Sequence, residues 1–237
     1  MAHFVATDFH GNYNIWEQIK QMITEDDTLI FLGDAIDRGD RGWEIMVELL
    51  NDPRVTYLKG NHEDLMYWSY KAPEKYLKSY RESWIKNGGG TTLNQIIGFN
   101  ISQETLDFYL EKINNLPTSA AYTNDKGKTF MLTHAGFNPD DLYLNLDEYD
   151  QDFNNIWDRR HIFREWPSDW DHYYIIHGHT PIAMCNQARA FIDDIISEVP
   201  FIYANGHKIN IDAGTYDTNA AIVYNLDTET ATIIKGE

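Results

Sequence analysis

Leu29-Ile30-Phe31-Leu32-Gly33-Asp34-Ala35-Ile36-Asp37-Arg38-Gly39 joins an apolar run to a glycine-flanked loop that carries two carboxylates and a guanidinium. A short apolar run closed by glycine reads as a buried strand, and the polar cluster beyond it as a loop at the strand's carboxyl end. The same unit stands on either side. Phe4-Val5-Ala6 leads into Thr7-Asp8-Phe9-His10-Gly11, and Val55-Thr56-Tyr57-Leu58 leads into Gly60-Asn61-His62-Glu63. Between these strands, Ile15, Trp16, Ile19, Met22 and Ile23 mark one face of a helix, and Trp43, Met46, Val47 and Leu50 mark another. Alternating strands and helices are the βαβ pattern of an α/β fold, in which ligands collect beyond the carboxyl ends of the strands because the loops converge there.

Residues 64–116 read as mostly helical, broken by Gly88-Gly89-Gly90, with Leu106, Tyr109, Leu110 and Ile113 as an apolar stripe. This predicts a helical cap inserted after the third loop. From about residue 118 the chain turns strand-rich, with Thr129-Phe130-Met131-Leu132, Tyr173-Tyr174-Ile175-Ile176, Ile209-Asn210-Ile211, Ala220 to Tyr224 and Thr230 to Ile234. A second sheet is needed to use these strands. With 237 residues, 43% hydrophobic and 14% aromatic, and no Pro-rich, Gly/Ser-rich or repetitive linker, we expect one domain over residues 1–237.

Nineteen Lys+Arg against 37 Asp+Glu leave a formal charge of -18, which repels nucleic acid and anionic membrane surfaces, so neither is an expected partner. Cys185 is the only cysteine, so no intramolecular disulfide forms. His3-Phe4-Val5-Ala6-Thr7 follows the N-terminus with no basic segment and apolar core of a signal peptide, and no apolar run approaches membrane-spanning length. A cytoplasmic location is the expectation.

Asp8 and His10 stand two apart at a strand end, where extended geometry would point both side chains the same way. Alone, Asp-x-His is a common loop cap. Two further glycine-bearing loops in register, then His134-Ala135-Gly136 and Gly178-His179-Thr180, make coincidence hard to sustain. In order, these five blocks resemble the GDxHG, GDxxDRG, GNHE, HAG and GH signatures of the phosphoprotein phosphatase family of metallophosphoesterases, in its bacterial and bacteriophage lambda type. The first block opens with Thr7 where the family has Gly. Asp40 stands where related bacterial sequences often have Pro, and Pro181 after the late pair matches this branch.

The resemblance implies an α/β metallophosphoesterase fold, a four-layer αββα sandwich with two mixed sheets and a helical cap segment. It implies that Asp8, His10 and Asp34 hold one metal, and that Asp34, Asn61, His134 and His179 hold the other, with Asp34 bridging. Mixed Asp, His and Asn ligation suits two divalent ions of intermediate hardness, manganese first, with iron or zinc as alternatives. A hydroxide held by both metals would be the nucleophile, His62 the general acid, and Asp37 the carboxylate that orients it. Arg38 and Arg159, the latter in Trp157-Asp158-Arg159, would bind phosphate oxygens. Trp84 to Thr92 also resembles a bacterial-type segment of the family, but reads as a helix stop and turn and stays outside the catalytic set.

The expected function is hydrolysis of phosphomonoesters on phosphorylated protein or small phosphoesters, of the serine/threonine phosphatase type. The nearest alternative is a symmetrical dinucleoside polyphosphate hydrolase. Those relatives usually lack the acid of DRG, so Asp37 favours the protein phosphatase. A non-catalytic binding module is the third reading; such proteins usually lose a ligand or the acid, and here none is lost.

Overall fold

The computed structural model describes residues 1–137, 148–192 and 194–236. It opens with β1 (His3–Ala6), α1 (Tyr13–Met22), β2 (Thr28–Phe31), α2 (Gly42–Asn51) and β3 (Val55–Tyr57). Asn12 starts α1, its side chain accepting from the Ile15 N–H at 3.3 Å, one of the orphan donors of a first helical turn. Four helices follow, α3 (Asn61–Lys71), α4 (Glu74–Trp84), α5 (Gly90–Gly98) and α6 (Gln103–Asn114), with a π turn over Ile85–Gly89 between α4 and α5. The remainder runs β4 (Ser119–Thr123), β5 (Thr129–Thr133), α7 (Glu148–Trp157), β6 (Tyr173–His177), α8 (Ile182–Gln187), β7 (Ser197–Glu198), β8 (Phe201–Tyr203), β9 (Lys208–Asn210), α9 (Thr215–Thr218), β10 (Ala220–Asn225) and β11 (Thr230–Lys235).

Two mixed sheets result, ordered β11-β10-β1-β2-β3 and β4-β5-β6-β9-β8-β7. β1, β2 and β3 are parallel, as are β5, β6 and β9. The C-terminal hairpin differs from expectation. β10 and β11 close the first sheet, with Phe4 opposite Asn225, rather than extending the second. Period-two alternation explains how they serve there. Along β10, Ala221 and Val223 face one apolar cluster while Ile222 and Tyr224 face the other.

The same division runs through the first sheet. Ala6, Leu29, Phe31 and Tyr57 pack under Ile15, Trp16 and Ile19 of α1, Met46 and Leu49 of α2, and Leu65, Ile96 and Leu110 of the helical segment. On the opposite face, Val5, Ile30, Leu32 and Ile222 meet Leu132, Ile176 and Ile209 of the second sheet. Ile162, Ile182, Cys185 and Ile192 complete that cluster. The helices of residues 61–114 therefore share one core with α1 and α2. Among the described residues, no helix is long and apolar enough to cross a membrane.

Phe31 has no exposed surface and touches Phe9 and Tyr57 ring to ring. Phe31→Ala should lower unfolding free energy by about 3–5 kcal/mol. The exposed Thr56→Ala, one strand away, should stay within about 0.5 kcal/mol of the parent. Urea midpoints at unchanged slope check both.

Candidate active site

Six parallel strands end on the same edge of the two sheets, and each delivers one polar residue to it. Asp8 follows β1, Asp34 β2, Asn61 β3, His134 β5, His179 β6 and Asp212 β9. All except Asp212 were singled out by motif. Its signal was a faint one, Asp212-Ala213-Gly214 directly after Ile209-Asn210-Ile211.

Asp34 is at the centre. Its Oδ1 accepts from the His62 N–H at 2.9 Å and so caps the first turn of α3. Its Oδ2 lies 3.7 Å from His10 Nε2, 3.4 Å from His134 Nε2 and 3.8 Å from His62 Nε2. Burial opposes ionisation of Asp34, yet His134, His62 and His10 outweigh it and hold the carboxyl well below its ordinary value. The chain behind it is held by Glu63, whose carboxylate accepts from the N–H groups of Asp34 (2.8 Å), Ala35 (3.0 Å) and Gly60 (3.0 Å) and from the Tyr57 hydroxyl (2.8 Å). Gly60 is required: a Cβ there would stand 2.2 Å from Asp34 Oδ1.

The donor atoms are aimed by bonds on their far sides. His10 Nδ1 faces the Ile36 carbonyl and His134 Nδ1 the Leu32 carbonyl, each at 3.1 Å, which turns both Nε2 atoms inward. The Asn61 amide oxygen sits 2.9 Å from His134 Nε2 and 2.8 Å from His179 Nδ1. Asp8 Oδ2 accepts from the Thr7 hydroxyl at 2.6 Å and from the His179 N–H at 3.1 Å, leaving Oδ1 3.8 Å from His10 Nε2. Asp8 and His10 share a side by a route the sequence did not suggest. β1 ends at Ala6, and both residues have positive φ, 55° and 43°, so a left-handed loop rather than strand alternation brings them together.

These residues fit divalent ions. Donor atoms of Asp34, His134 and His179 lie within 4.8 Å of one another, as do those of His10, Asp34 and His62. Both nitrogens of His134 lie within hydrogen-bond distance of an oxygen, the Leu32 carbonyl and the Asn61 amide oxygen. Burial lowers its pKa, but Asp34, Asp8 and Glu63 push it up to about 9. Burial pushes Asp8 up, and Asp212 well up, with each neighbouring carboxylate adding to the rise. Buried carboxylates crowded in this way call for positive charge, which a divalent ion would supply. His62 is the poorer of the possible ligands, because Arg38 Nη2 lies 3.3 Å from its Nε2 and repels a cation there.

His62 Nδ1 lies 2.7 Å from Asp37 Oδ2, which fixes its proton on that side and leaves Nε2 toward Asp34 and Arg38. Burial works against charge on His62, yet Asp34 and the bond to Asp37 raise its pKa above the ordinary value. Arg159 is exposed, its Nη2 reaching the His179 carbonyl at 3.4 Å. Although the residue as a whole is exposed, its guanidinium is drawn toward the site, where partial desolvation lowers its pKa, and the charges it feels, Asp34, Asp8, Asp212 and Arg38, are those of the site. Arg160 instead binds Asp158 at 2.8 Å. Of the residues left out by motif, His207 stacks on Trp166 and Tyr174, and His3 pairs with Asp227.

Residues 4–211 match the family described as calcineurin-like phosphoesterase. Serine/threonine-protein phosphatase 2 of Escherichia coli (strain K12) is 30% identical over 144 residues, covering 60% of this chain and 61% of that protein. An asymmetrical bis(5'-nucleosyl)-tetraphosphatase of Bacillus velezensis is 24% identical over 204 residues, covering 77% of this chain and 78% of that one. Among solved structures, a protein serine/threonine phosphatase from Saccharomyces cerevisiae covers 100% of this chain and 80% of its own at TM-score 0.62 and 14% identity. A cold-active protein-tyrosine phosphatase of a Shewanella species covers 98% and 80% at TM-score 0.58 and 12% identity. These two likenesses are of fold.

Because Asp34 faces both sets of donors, Asp34→Asn should lose metal from both, whereas His207→Ala should retain it. Elemental analysis after dialysis reads the difference. Full occupancy in the Asp34 variant would contradict the shared carboxylate.

Proposed function

Because the chain belongs to the calcineurin-like phosphoesterase family, we propose that this metallophosphoesterase hydrolyses phosphomonoesters of the phosphoserine and phosphothreonine class, with two divalent ions, manganese first, as cofactors. The observation that carries the reading is the buried pair of His62 and Asp37, 2.7 Å apart, with the other face of the imidazole turned to the donor cluster. An alkoxide leaving group needs a proton, and His62 Nε2, which faces the donor cluster beside Arg38 Nη2, is the nitrogen that would give it once Arg38 turns to the phosphate, while Nδ1 stays bound to Asp37. Likeness to the Escherichia coli phosphatase supports the same substrate class.

Bound at the Asp8, His10, Asp34 and the Asp34, Asn61, His134, His179 donors, the two ions would lower the pKa of a water toward about 7 and neutralise phosphoryl charge. Arg38 and Arg159 fork onto the remaining phosphoryl oxygens; the Arg159 guanidinium feels the carboxylates that also draw the ions, and Arg38 Nη2 stands 3.3 Å from His62 Nε2. Asp37 keeps the imidazole in the tautomer and orientation that protonates the departing oxygen. The charge of -18 suits a substrate with one phosphoryl group better than a polyphosphate, whose flanking phosphates need cations of their own. We propose a cytoplasmic enzyme acting on phosphorylated protein.

A dinucleoside polyphosphate hydrolase is the second reading, favoured by the Bacillus velezensis relative. Nucleotide leaving groups need less protonation, so Asp37 and His62 separate the two.

His62→Asn should keep its bound metal and lose roughly 10²–10⁴ in kcat on a phosphoserine peptide. On p-nitrophenyl phosphate the loss should be smaller, because that leaving group departs unprotonated. Equal losses would remove the acid role.

With manganese and salt held equal, kcat/KM on phosphoserine or phosphothreonine peptides should exceed that on diadenosine tetraphosphate. A tenfold preference for the dinucleotide, about 1.4 kcal/mol in the transition state, would replace the first reading by the second. Product analysis distinguishes symmetrical from asymmetrical cleavage.

A further inference from the structure

The segment from Trp84 to Thr92 resembles a helix stop on inspection of sequence, and its glycines suit a turn. In the fold it closes over Asp37. Trp84 Nε1 donates to Asp37 Oδ2 at 2.9 Å and lies 3.2 Å from Oδ1. The Thr92 hydroxyl donates to Oδ1 at 2.7 Å and accepts from the Asp37 N–H at 3.0 Å. Both residues are fully buried, and so is Asp37. With His62 Nδ1 at 2.7 Å, every close partner of this carboxylate is a directed donor, and two of the three come from the helical segment.

The π turn between these two residues continues the contact. The Gly88 carbonyl accepts from the Arg38 N–H at 3.1 Å. Gly88 has φ 108°, and a Cβ there would stand 2.8 Å from Arg38 Cγ, so only glycine allows the turn to lie against Arg38. A Cβ on Gly89 would stand 2.4 Å from the Trp84 ring, which seats the indole on the turn's own backbone. An ordinary helix end requires none of these approaches.

We propose that Trp84 and Thr92 are positioning residues for leaving-group protonation: together they fix the Asp37 carboxylate so that it holds the His62 imidazole, which makes the helical segment part of the acid machinery. The proposal rests on the reading of His62 as the acid. A carboxylate on a single bond to the imidazole is free to rotate about its own side-chain torsions. Anchoring both oxygens removes that freedom and holds the Nδ1 partner, and with it the direction of Nε2. Asp37 and Arg38 both have positive φ, 71° and 65°, and the bonds from Thr92 and Gly88 restrain that backbone.

The test compares Trp84→Phe, Thr92→Val, Thr92→Ser and His62→Asn in the metal-loaded protein on p-nitrophenyl phosphate, phenyl phosphate and a phosphoserine peptide. Trp84→Phe and Thr92→Val should each lower kcat about tenfold on phenyl phosphate and the peptide, the low end of what loss of an outer partner costs an oriented imidazole. On p-nitrophenyl phosphate they should stay within about twofold, with KM little changed on all three substrates. Thr92→Ser, which keeps the hydroxyl, should restore the rate. Adding Trp84→Phe to His62→Asn should cost nothing further, since both act through one proton transfer.

Equal losses of Trp84→Phe and Thr92→Val on all three substrates, beside a leaving-group-dependent His62→Asn, would overturn the positioning role and leave the acid intact. If His62→Asn itself shows no dependence on the leaving group, the acid reading fails and the positioning role fails with it. Thr92→Val removes one oxygen at nearly constant shape, so a Trp84→Phe protein that does not fold leaves Thr92→Val and Thr92→Ser to decide.

Discussion

The Glu63 carboxylate, buried without any exposed surface, accepts hydrogen bonds from four donors, and the geometry of the site depends on it. Two come from the loop after β2, one from the turn after β3 and one from the side chain of Tyr57 in β3. Glu63 itself stands in the first turn of α3. A single side chain thus ties two strand ends to a helix start. It also accepts from the N–H of Gly60, the residue before α3, which is the glutamate's half of a capping box. The helix start so fixed presents the His62 N–H to Asp34 Oδ1, which turns Oδ2 toward the histidines. A buried carboxylate with fewer donors would be destabilising, and here local helix capping and site geometry use the same oxygens.

The loops on this edge are held in conformations that their residues adopt at a cost. Asp8, His10, Asp34, Asp37, Arg38 and His179 are six of the twelve non-glycine residues with positive φ among the described residues. Each such conformation costs about 1–3 kcal/mol when the surroundings must impose it, less for Asp and His, which visit that region more readily. Each lies in a loop whose backbone or side chains bond across to another loop. His10 N–H donates to the Asp34 carbonyl, Gly39 N–H to the His10 carbonyl and Arg38 N–H to the Gly88 carbonyl. The candidate donor atoms are consequently held in place by backbone bonds.

Much of this was legible in the amino-acid sequence, for physical reasons that differ from residue to residue. The helices of the first sixty residues follow from the spacing of Ile15, Trp16 and Ile19 and of Trp43, Met46 and Leu50, because a one-sided core demands that spacing. The motif residues converge because strand ends in a parallel arrangement converge. Alternation, however, names the faces of a strand and not its neighbours, so nothing in Ala220 to Ile234 told that β10 pairs with β1. The short β7 and β8 have too few residues for any period. Asp8 and His10 reach the same side through backbone angles, which side-chain pattern does not encode. Trp84 and Thr92 were hidden differently: an indole and a hydroxyl in a helical stretch carry no sign that a carboxylate some fifty residues earlier is their partner.

Strand β1, which leads to the first donors, lies between β2 and β10 and takes its register on one side from a hairpin near the other end of the described chain. His3 N–H donates to the Asp227 carboxylate and Phe4 stands opposite Asn225. Such pairing has to close a loop containing almost all the intervening structure, and long-range closure of this kind slows folding. For a ribosome-bound chain, β1, β2 and β3 can meet early, but the edge of β1 that β10 will occupy stays open until β10 emerges. During that interval the open edge is a template for another chain. The order of synthesis therefore completes the donor-bearing edge well after its first strands are made, and it gives the nascent protein a reason to need protection that the finished fold no longer has.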